Sequence, residues 1–326
     1  MAVIPWVLAR AVVLAALVLA RQLVDSLHLA DPAVIGTAHQ GLLGWDAGWY
    51  AGIAARGYGA LPREALRFFP LVPLLVRALH LLLPLSTRAC LIAVGNAAAL
   101  VLALLLHRLV VRESGDAALA RRAVWLIALA PPAYVLVMGY AEAVATSLAL
   151  AAFLALRRRR WWWAALWAVL AGLARPLSVL LAVPAVVEVV RATLRPSAGT
   201  ARASRTVRWG AVRGGAARVA AVAAAPAGAA LYLGWVGQRF GDALLPVRIQ
   251  QQHGHRGRLE LPTQVLARAL GDAVHGRHLG RALHFPWVML LLGLLFVLCR
   301  KWPAPYAAYA GAVLVLSLCS ANLDSV

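Results

Sequence analysis

An all-α bundle of membrane-crossing helices is the fold class this sequence predicts, on three observations. Of its 326 residues, 63% are hydrophobic and only 13% are charged, against about a half and about a quarter in soluble domains. The apolar residues come in long runs, and a run of about 20 matches the hydrocarbon thickness of a bilayer. The formal net charge of +20 is carried almost wholly by arginine, with Lys301 the only lysine, and the arginines fall between the runs. In a soluble protein such a charge would point to nucleic acid. Here the arginines stand where cations set membrane topology, so no nucleic-acid partner is expected. The chain reads as a single transmembrane domain, residues 1–326.

The elements follow in order. A first span covers Trp6 to Leu29 and lacks a small-residue cleavage site, so it reads as a retained helix rather than a signal peptide. A more polar stretch runs from Asp31 to Arg67. The next apolar segment, 68–85, is broken by Pro70 and Pro73 and carries Arg77 and His80. A full span with Arg77 at its centre would be costly, so this segment reads as an interfacial or re-entrant helix. Further spans are expected at about 88–110, 122–139, 141–156, 161–175, 176–193, 214–235, 285–299 and 303–320. Arg108, Arg112, Arg121 and Arg122 should face the cytoplasm, as should Arg157 to Arg160, the stretch from Arg191 to Arg213, and the pair Arg300 and Lys301. Nine spans with a cytoplasmic N-terminus satisfy these anchors. The loops 30–87 and 236–284 then lie outside the cytoplasm with interfacial helices of their own. The chain stops at Asn322–Val326 just after an apolar run, and truncation at the C-terminus is expected.

Chemistry can reside in few places. Asp46 stands between Trp45 and Trp49, with Tyr50 following. Trp and Tyr are common at that depth as an aromatic belt, but a carboxylate among them is less ordinary. It could serve as a general base toward a hydroxyl, or simply as a helix N-cap. Glu142 near an outer helix end could orient Asp46 or bind a hydroxyl, or merely favour a helix dipole. Arg175 offers a fork for phosphate, or is a snorkelling interface residue. The 236–284 segment keeps Arg239, Arg248, Arg256, Arg258, Arg268, Arg277 and Arg281 outside. An anionic ligand would explain that excess, and so would lipid headgroups.

Other features read as structural. His253, His255, His275, His278 and His284 share one segment but show no convincing ligand spacing, so no metal is expected. Cys90, Cys299 and Cys319 lie in apolar segments and read as small buried hydrophobes. Trp161, Trp162 and Trp163 after four arginines read as a cytoplasmic interface anchor. A nucleotide-binding glycine fingerprint, a Walker loop and an Asp-x-Asp pair are all missing, which disfavours a cytoplasmic nucleotide-sugar enzyme.

Four strings carry a resemblance. They are Gly44-Trp45-Asp46-Ala47-Gly48-Trp49-Tyr50 continuing through Gly57-Tyr58 to Arg67-Phe68-Phe69-Pro70-Leu71-Val72-Pro73-Leu74-Leu75-Val76-Arg77; Met138-Gly139-Tyr140-Ala141-Glu142; Arg159-Arg160-Trp161-Trp162 with Ala171-Gly172-Leu173-Ala174-Arg175-Pro176; and Phe240-Gly241-Asp242 with Gln251. In order and spacing the chain resembles the PIG-V family, the GPI mannosyltransferase 2-like proteins and their bacterial relatives, of the GT-C class. It departs at Ala141, where a hydroxyl residue is usual, and at Leu244, Leu245 and Pro246, where an aromatic commonly follows.

The resemblance implies a membrane glycosyltransferase at a bacterial plasma membrane. It implies inverting transfer of a sugar, typically mannose, from a polyprenyl-phosphate donor to a lipid-linked or glycan acceptor on the extracytoplasmic face. Asp46 would be the catalytic base, with Glu142 beside it. Trp45, Trp49, Tyr50, Arg175, Asp242, Gln251, Arg256 and Arg258 are the candidate substrate contacts. No cofactor is implied, since the lipid-linked sugar is itself a substrate. The competing reading is a transporter or flippase for lipid-linked glycans. Transporters tend to show internal repeats and midplane polar residues. This chain shows no repeat, and its carboxylates of interest fall at one face.

Overall fold

The computed structural model describes residues 2–27, 31–194, 205–252, 255–275 and 279–320. Among them the secondary structure is helical, with one isolated antiparallel bridge between Leu259 and Ser320. Fourteen α-helices follow in chain order: α1 Val3–Ser26, α2 Pro32–Gln40, α3 Asp46–Arg56, α4 Leu71–Leu82, α5 Thr87–Ser114, α6 Ala117–Leu129, α7 Glu142–Arg157, α8 Trp161–Ala174, α9 Ala182–Leu194, α10 Arg205–Phe240, α11 Leu245–Gln250, α12 Pro262–Val274, α13 Leu279–Lys301 and α14 Ala304–Leu318. The expected C-terminal cut at Asn322–Val326 lies outside the described residues.

Four helical stretches among the described residues are long and apolar enough to cross a membrane: Val3–Ser26, Thr87–Ser114, Pro176–Leu194 and Gly214–Phe240. Their outward surfaces are apolar. On α1 alone Val3, Ile4, Val7, Val12, Leu14, Val18, Leu19 and Leu23 are exposed. In water so much apolar surface would drive aggregation; in lipid it is at home. The chain is a helical membrane protein. Leu71–Leu82, Trp161–Ala174 and Ala304–Leu318 are apolar but shorter. At 12 residues, α4 would reach only about 18 Å at 1.5 Å per residue, too short for the hydrocarbon core.

One expected span comes out differently. The run 122–139 does not continue as one helix, because α6 stops at Leu129 and residues Pro131–Leu136 form a 3-10 turn. Pro131 and Pro132 supply no amide donors, and each disfavours helix in the residue before it. This break brings Met138–Ala141 beside the residues that precede α3, with the Gly139 amide on the Leu42 carbonyl, instead of extending α6.

The chain divides into two compact units, Met1–Ala155 with Trp167–Ser178, and Leu156–Leu166 with Val179–Val326. In the first, α5 is capped by Ser86, whose hydroxyl accepts from the Ala89 amide at 3.2 Å. It ends at Gly115 in the left-handed conformation, φ 71°, a helix stop that glycine adopts without steric cost. Against α5 pack α3, α4 and α6, and Ser147 of α7 donates to the Ala98 carbonyl at 2.7 Å. On α1, Arg10 donates to Asn96 Oδ1 at 2.7 Å and to the Leu136 carbonyl at 3.1 Å. Asn96 donates in turn to the Val137 carbonyl at 3.1 Å. A half-buried arginine and asparagine thus have their donors used, and they hold the residues at the end of the Pro131–Leu136 turn.

In the second unit α9 packs on α10 and α14, and α12 on α13. Glu188 of α9 is buried, and it accepts from Arg157 at 2.7 Å. A carboxylate within an apolar span needs such a partner.

Candidate active site

The first unit gathers its motifs around α3. Ala47, Tyr50, Ala51, Ile53, Ala54, Ala65, Phe68, Val72, Leu91, Met138, Tyr140 and Ala141 form one buried cluster, with Trp49 and Tyr58 against it. Phe68 is the hub. Trp49 stacks on it at 5.8 Å and 16°, and Tyr50 meets it edge-on at 5.1 Å and 76°. The Tyr58 hydroxyl donates to the Phe68 carbonyl at 2.6 Å. The Gly139 amide donates to the Leu42 carbonyl at 3.2 Å, bringing the second string against the residues just before the first.

Glycine is required at that crossing. A Cβ on Gly139 would lie 2.8 Å from Leu91 Cδ2 and 3.2 Å from the Ala47 Cβ. On α5, a Cβ on Gly95 would come within 3.3 Å of the Met138 carbonyl. Two glycines therefore let the backbone of 138–140 lie against α3 and α5.

Asp46 is the first residue of α3, and its own position is exposed. The N-cap position falls on Trp45, whose side chain makes no capping hydrogen bond. Trp45 adopts φ 50° and ψ −121°, near the first central position of a type II′ turn, which glycine ordinarily fills. The Asp46 amide hydrogen-bonds the Tyr140 hydroxyl. Burial pushes the Tyr140 phenol well above its ordinary pKa, and the Asp46 carboxylate adds to the shift. The phenol of Tyr50, 6% exposed, is raised further by burial, with Glu142 and Asp46 adding and Arg175 opposing. Tyr50 therefore stands within electrostatic reach of Asp46, Glu142 and Arg175 together.

Glu142 begins α7, where a carboxylate suits the helix dipole. Arg175 follows α8, which ends at Ala174 because Pro176 comes next. Arg175 donates to Glu142 at 2.5 Å, a charge-assisted contact between groups 33 residues apart. The structure thus pairs two of the expected site residues with each other. Arg67 was given no role from sequence, although it stands inside the first string. Burial pulls its guanidinium below the ordinary value, and Asp46 opposes this first, then Glu64 and Tyr50. Tyr140 also lies inside a quoted string, and only its contact with Asp46 marks it as part of the site.

The remaining candidates belong to the second unit. Asp242 accepts from the Leu244 amide at 2.9 Å and pairs with Arg248 at 2.9 Å. Gln251 caps the end of α11. Arg256 accepts through its carbonyl from the Ser320 hydroxyl at 2.9 Å, and Arg258 is exposed. Glu260 is paired with Arg268. His253, His278 and the His284 side chain lie outside the described residues. The His275 ring contacts the Gly271 carbonyl at 2.7 Å. Among the described residues, no three His, Cys, Asp or Glu side chains are grouped so as to hold a metal ion.

Comparison with known proteins bears on the first unit most. The family model described as Mannosyltransferase (PIG-V) matches residues 12–193, more than half of the chain. The chain belongs to the PIG-V mannosyltransferase family. No curated protein and no solved structure matches. The family match contains Asp46, Arg67, Tyr140, Glu142 and Arg175, whereas Asp242, Gln251, Arg256 and Arg258 lie beyond it. For a PIG-V family member the described cluster has suitable parts: a carboxylate at an exposed position, two phenols that keep their protons, and two arginines. Such a set can take a proton from a hydroxyl and offset an anion.

Proposed function

We propose that this protein transfers mannose from a polyprenyl-phosphate carrier to a lipid-linked or glycan acceptor on the extracytoplasmic face of a bacterial plasma membrane. The observation that carries the proposal is the meeting of Asp46, Tyr140, Glu142 and Arg175 in a unit that the mannosyltransferase family covers. In this reading the acceptor hydroxyl attacks the anomeric carbon as Asp46 takes its proton. The glycosidic bond to the carrier phosphate breaks on the opposite face, so the anomeric configuration inverts. The bonding pair leaves with the phosphate oxygen, and Arg175 and Arg67 offset the charge that develops. Glu142 holds Arg175 in place through their ion pair. Tyr140 and Tyr50 remain protonated and can donate hydrogen bonds.

A lipid carrier explains the absence of any nucleotide-binding string, since the reactive carbon arrives at the membrane surface by itself. The arginines serve where a metal would otherwise neutralise phosphate. Asp242, Gln251, Arg256 and Arg258 are placed in this reading as contacts for the anionic donor or the acceptor glycan. The topology that suits it has nine spans, a cytoplasmic N-terminus and a GT-C-like arrangement.

The test is transfer by the purified full chain in lipid nanodiscs, with a panel of polyprenyl-phosphate sugars and glycan acceptors. Mannose should be transferred from the mannosyl donor. Asp46→Asn should lower kcat by about 100-fold or more, in the range of a lost general base, with helicity unchanged. Near-normal transfer by Asp46→Asn would remove Asp46 as the base.

A further inference from the structure

Trp45 is held outward by its backbone. Gly44 before it is buried, whereas the indole is 58% exposed and so is the position of Asp46 after it. The conformation that achieves this, φ 50° with ψ −121°, is unfavourable for any residue with a side chain, at a cost of about 1–3 kcal/mol. A tryptophan serving only as an interface anchor has no need of such a backbone, since belt residues sit on ordinary helix ends.

A second aromatic ring stands beside it. Tyr134, in the turn after α6, is 43% exposed, and its ring centroid is 6.3 Å from that of Trp45 at 52°. The two rings therefore form an open, tilted pair with neither face fully covered. The Tyr134 hydroxyl lies close enough to Tyr140 to raise that phenol, and Tyr140 hydrogen-bonds the Asp46 amide. The exposed pair thus borders the carboxylate, one residue from it in sequence, and a hydroxyl rim runs along its edge.

We infer that Trp45 and Tyr134 form a stacking platform for a hexopyranose ring, which rests on Trp45 while Tyr134 closes one side. The inference rests on the proposed function in taking a hexose as the ligand. One face of a pyranose presents C–H groups with partial positive charge, which suit the negative face of an aromatic ring. Its hydroxyls radiate from the rim, where Asp46 and the Tyr134 and Tyr140 hydroxyls offer acceptors and donors. An acyl chain would gain from the apolar face alone and would leave that polar edge unused. The strained backbone is then the means by which the indole is presented before the sugar arrives.

The sugar could be that of the donor or that of the acceptor, and kinetics separates them. Trp45→Ala, Trp45→Phe, Tyr134→Ala and the wild type would be compared in nanodiscs, varying donor and acceptor in turn. Trp45→Ala should raise KM for one of the two about tenfold or more, and Trp45→Phe should recover most of the loss. Tyr134→Ala should raise the same KM by a smaller factor. Whichever KM moves names the stacked sugar. Unchanged KM values for both substrates in Trp45→Ala would overturn the platform, even if thermal stability or membrane partition changed.

Binding of radiolabelled mannosyl polyprenyl phosphate to Asp46→Asn, with and without Trp45→Ala, separates this inference from the parent one. If the wild type transfers nothing yet Asp46→Asn binds a sugar lipid in a Trp45-dependent way, the transfer reaction fails and the platform stands. If transfer proceeds with the acceptor and donor KM both indifferent to Trp45, the platform fails and the reaction stands.

Discussion

Two segments, one in each unit, solve the same problem differently. In the first, residues 42–73 and 138–142 are held by partners far along the chain: Gly139 to Leu42, Tyr140 to Asp46, Arg175 to Glu142. In the second, the acidic side chains of residues 240–268 pair only with near neighbours, Asp242 with Leu244 and Arg248 and Glu260 with Arg268. The contacts that reach further, from Arg256, Leu259 and Glu260 to Cys319 and Ser320, involve backbone groups and a serine hydroxyl rather than charges. Long-range contacts fix a geometry only when the whole unit folds, and they transmit any displacement to everything they join. Local pairs on exposed surface contribute little and can be lost singly. The difference teaches that the charges to test first are those whose positions the fold itself determines, and the family match falls on that same side.

The comparison can be broken most directly at Arg175. Arg175→Met leaves Glu142 half-buried without its 2.5 Å partner, and an unmatched group of this kind costs about 1–3 kcal/mol. A lowered thermal unfolding midpoint is expected, with kcat/KM for transfer down by about tenfold or more. Adding Glu142→Gln should return the midpoint and leave transfer low. Recovery of both together would make the pair a brace with no part in the chemistry.

Gly139→Ala comes next. The new methyl would meet Leu91 at 2.8 Å, and overpacking of this size costs about 1–3 kcal/mol. The shift should register in transfer as well as stability, because residue 140 contacts Asp46. A stable variant with normal kcat would show that 138–140 tolerates movement and that the crossing is less demanding than its spacing suggests.

The smallest effect is expected at Asp242. Its pair with Arg248 leaves the arginine 67% exposed, and exposed pairs contribute about 1 kcal/mol or less. Asp242→Ala should therefore barely move the unfolding midpoint and should lower transfer less than Arg175→Met does. A loss of transfer exceeding that of Arg175→Met, at unchanged stability, would erase the contrast between the regions and put Asp242 on the substrate.

Much of this was legible in sequence for identifiable reasons. Apolar runs report burial or lipid contact wherever they occur, so α1, α5 and α10 could be read from pattern alone. The strings around Asp46 and Glu142 marked the carboxylates because charge is rare in such surroundings. The span expected across 122–139 takes no account of Pro131 and Pro132, whose missing amides end α6 and turn Met138–Ala141 toward α3. Arg67 and Tyr140 stood in plain view with no role, since neither residue type is unusual at a membrane surface and only a neighbour gives it meaning.

By itself the sequence determined a helical membrane protein of this family, because solvent preference and local backbone chemistry act residue by residue. Only the tertiary structure decided which side chains meet. Glu142 finds Arg175 across 33 positions, and Tyr140 finds Asp46 across more than ninety. Those encounters depend on how closely two glycines let the backbone of 138–140 approach α3 and α5, and on a strained turn at Trp45 that packing must hold. Both are properties of the assembled unit, since the energy that sustains them comes from burial shared among α3, α5 and the residues between α6 and α7.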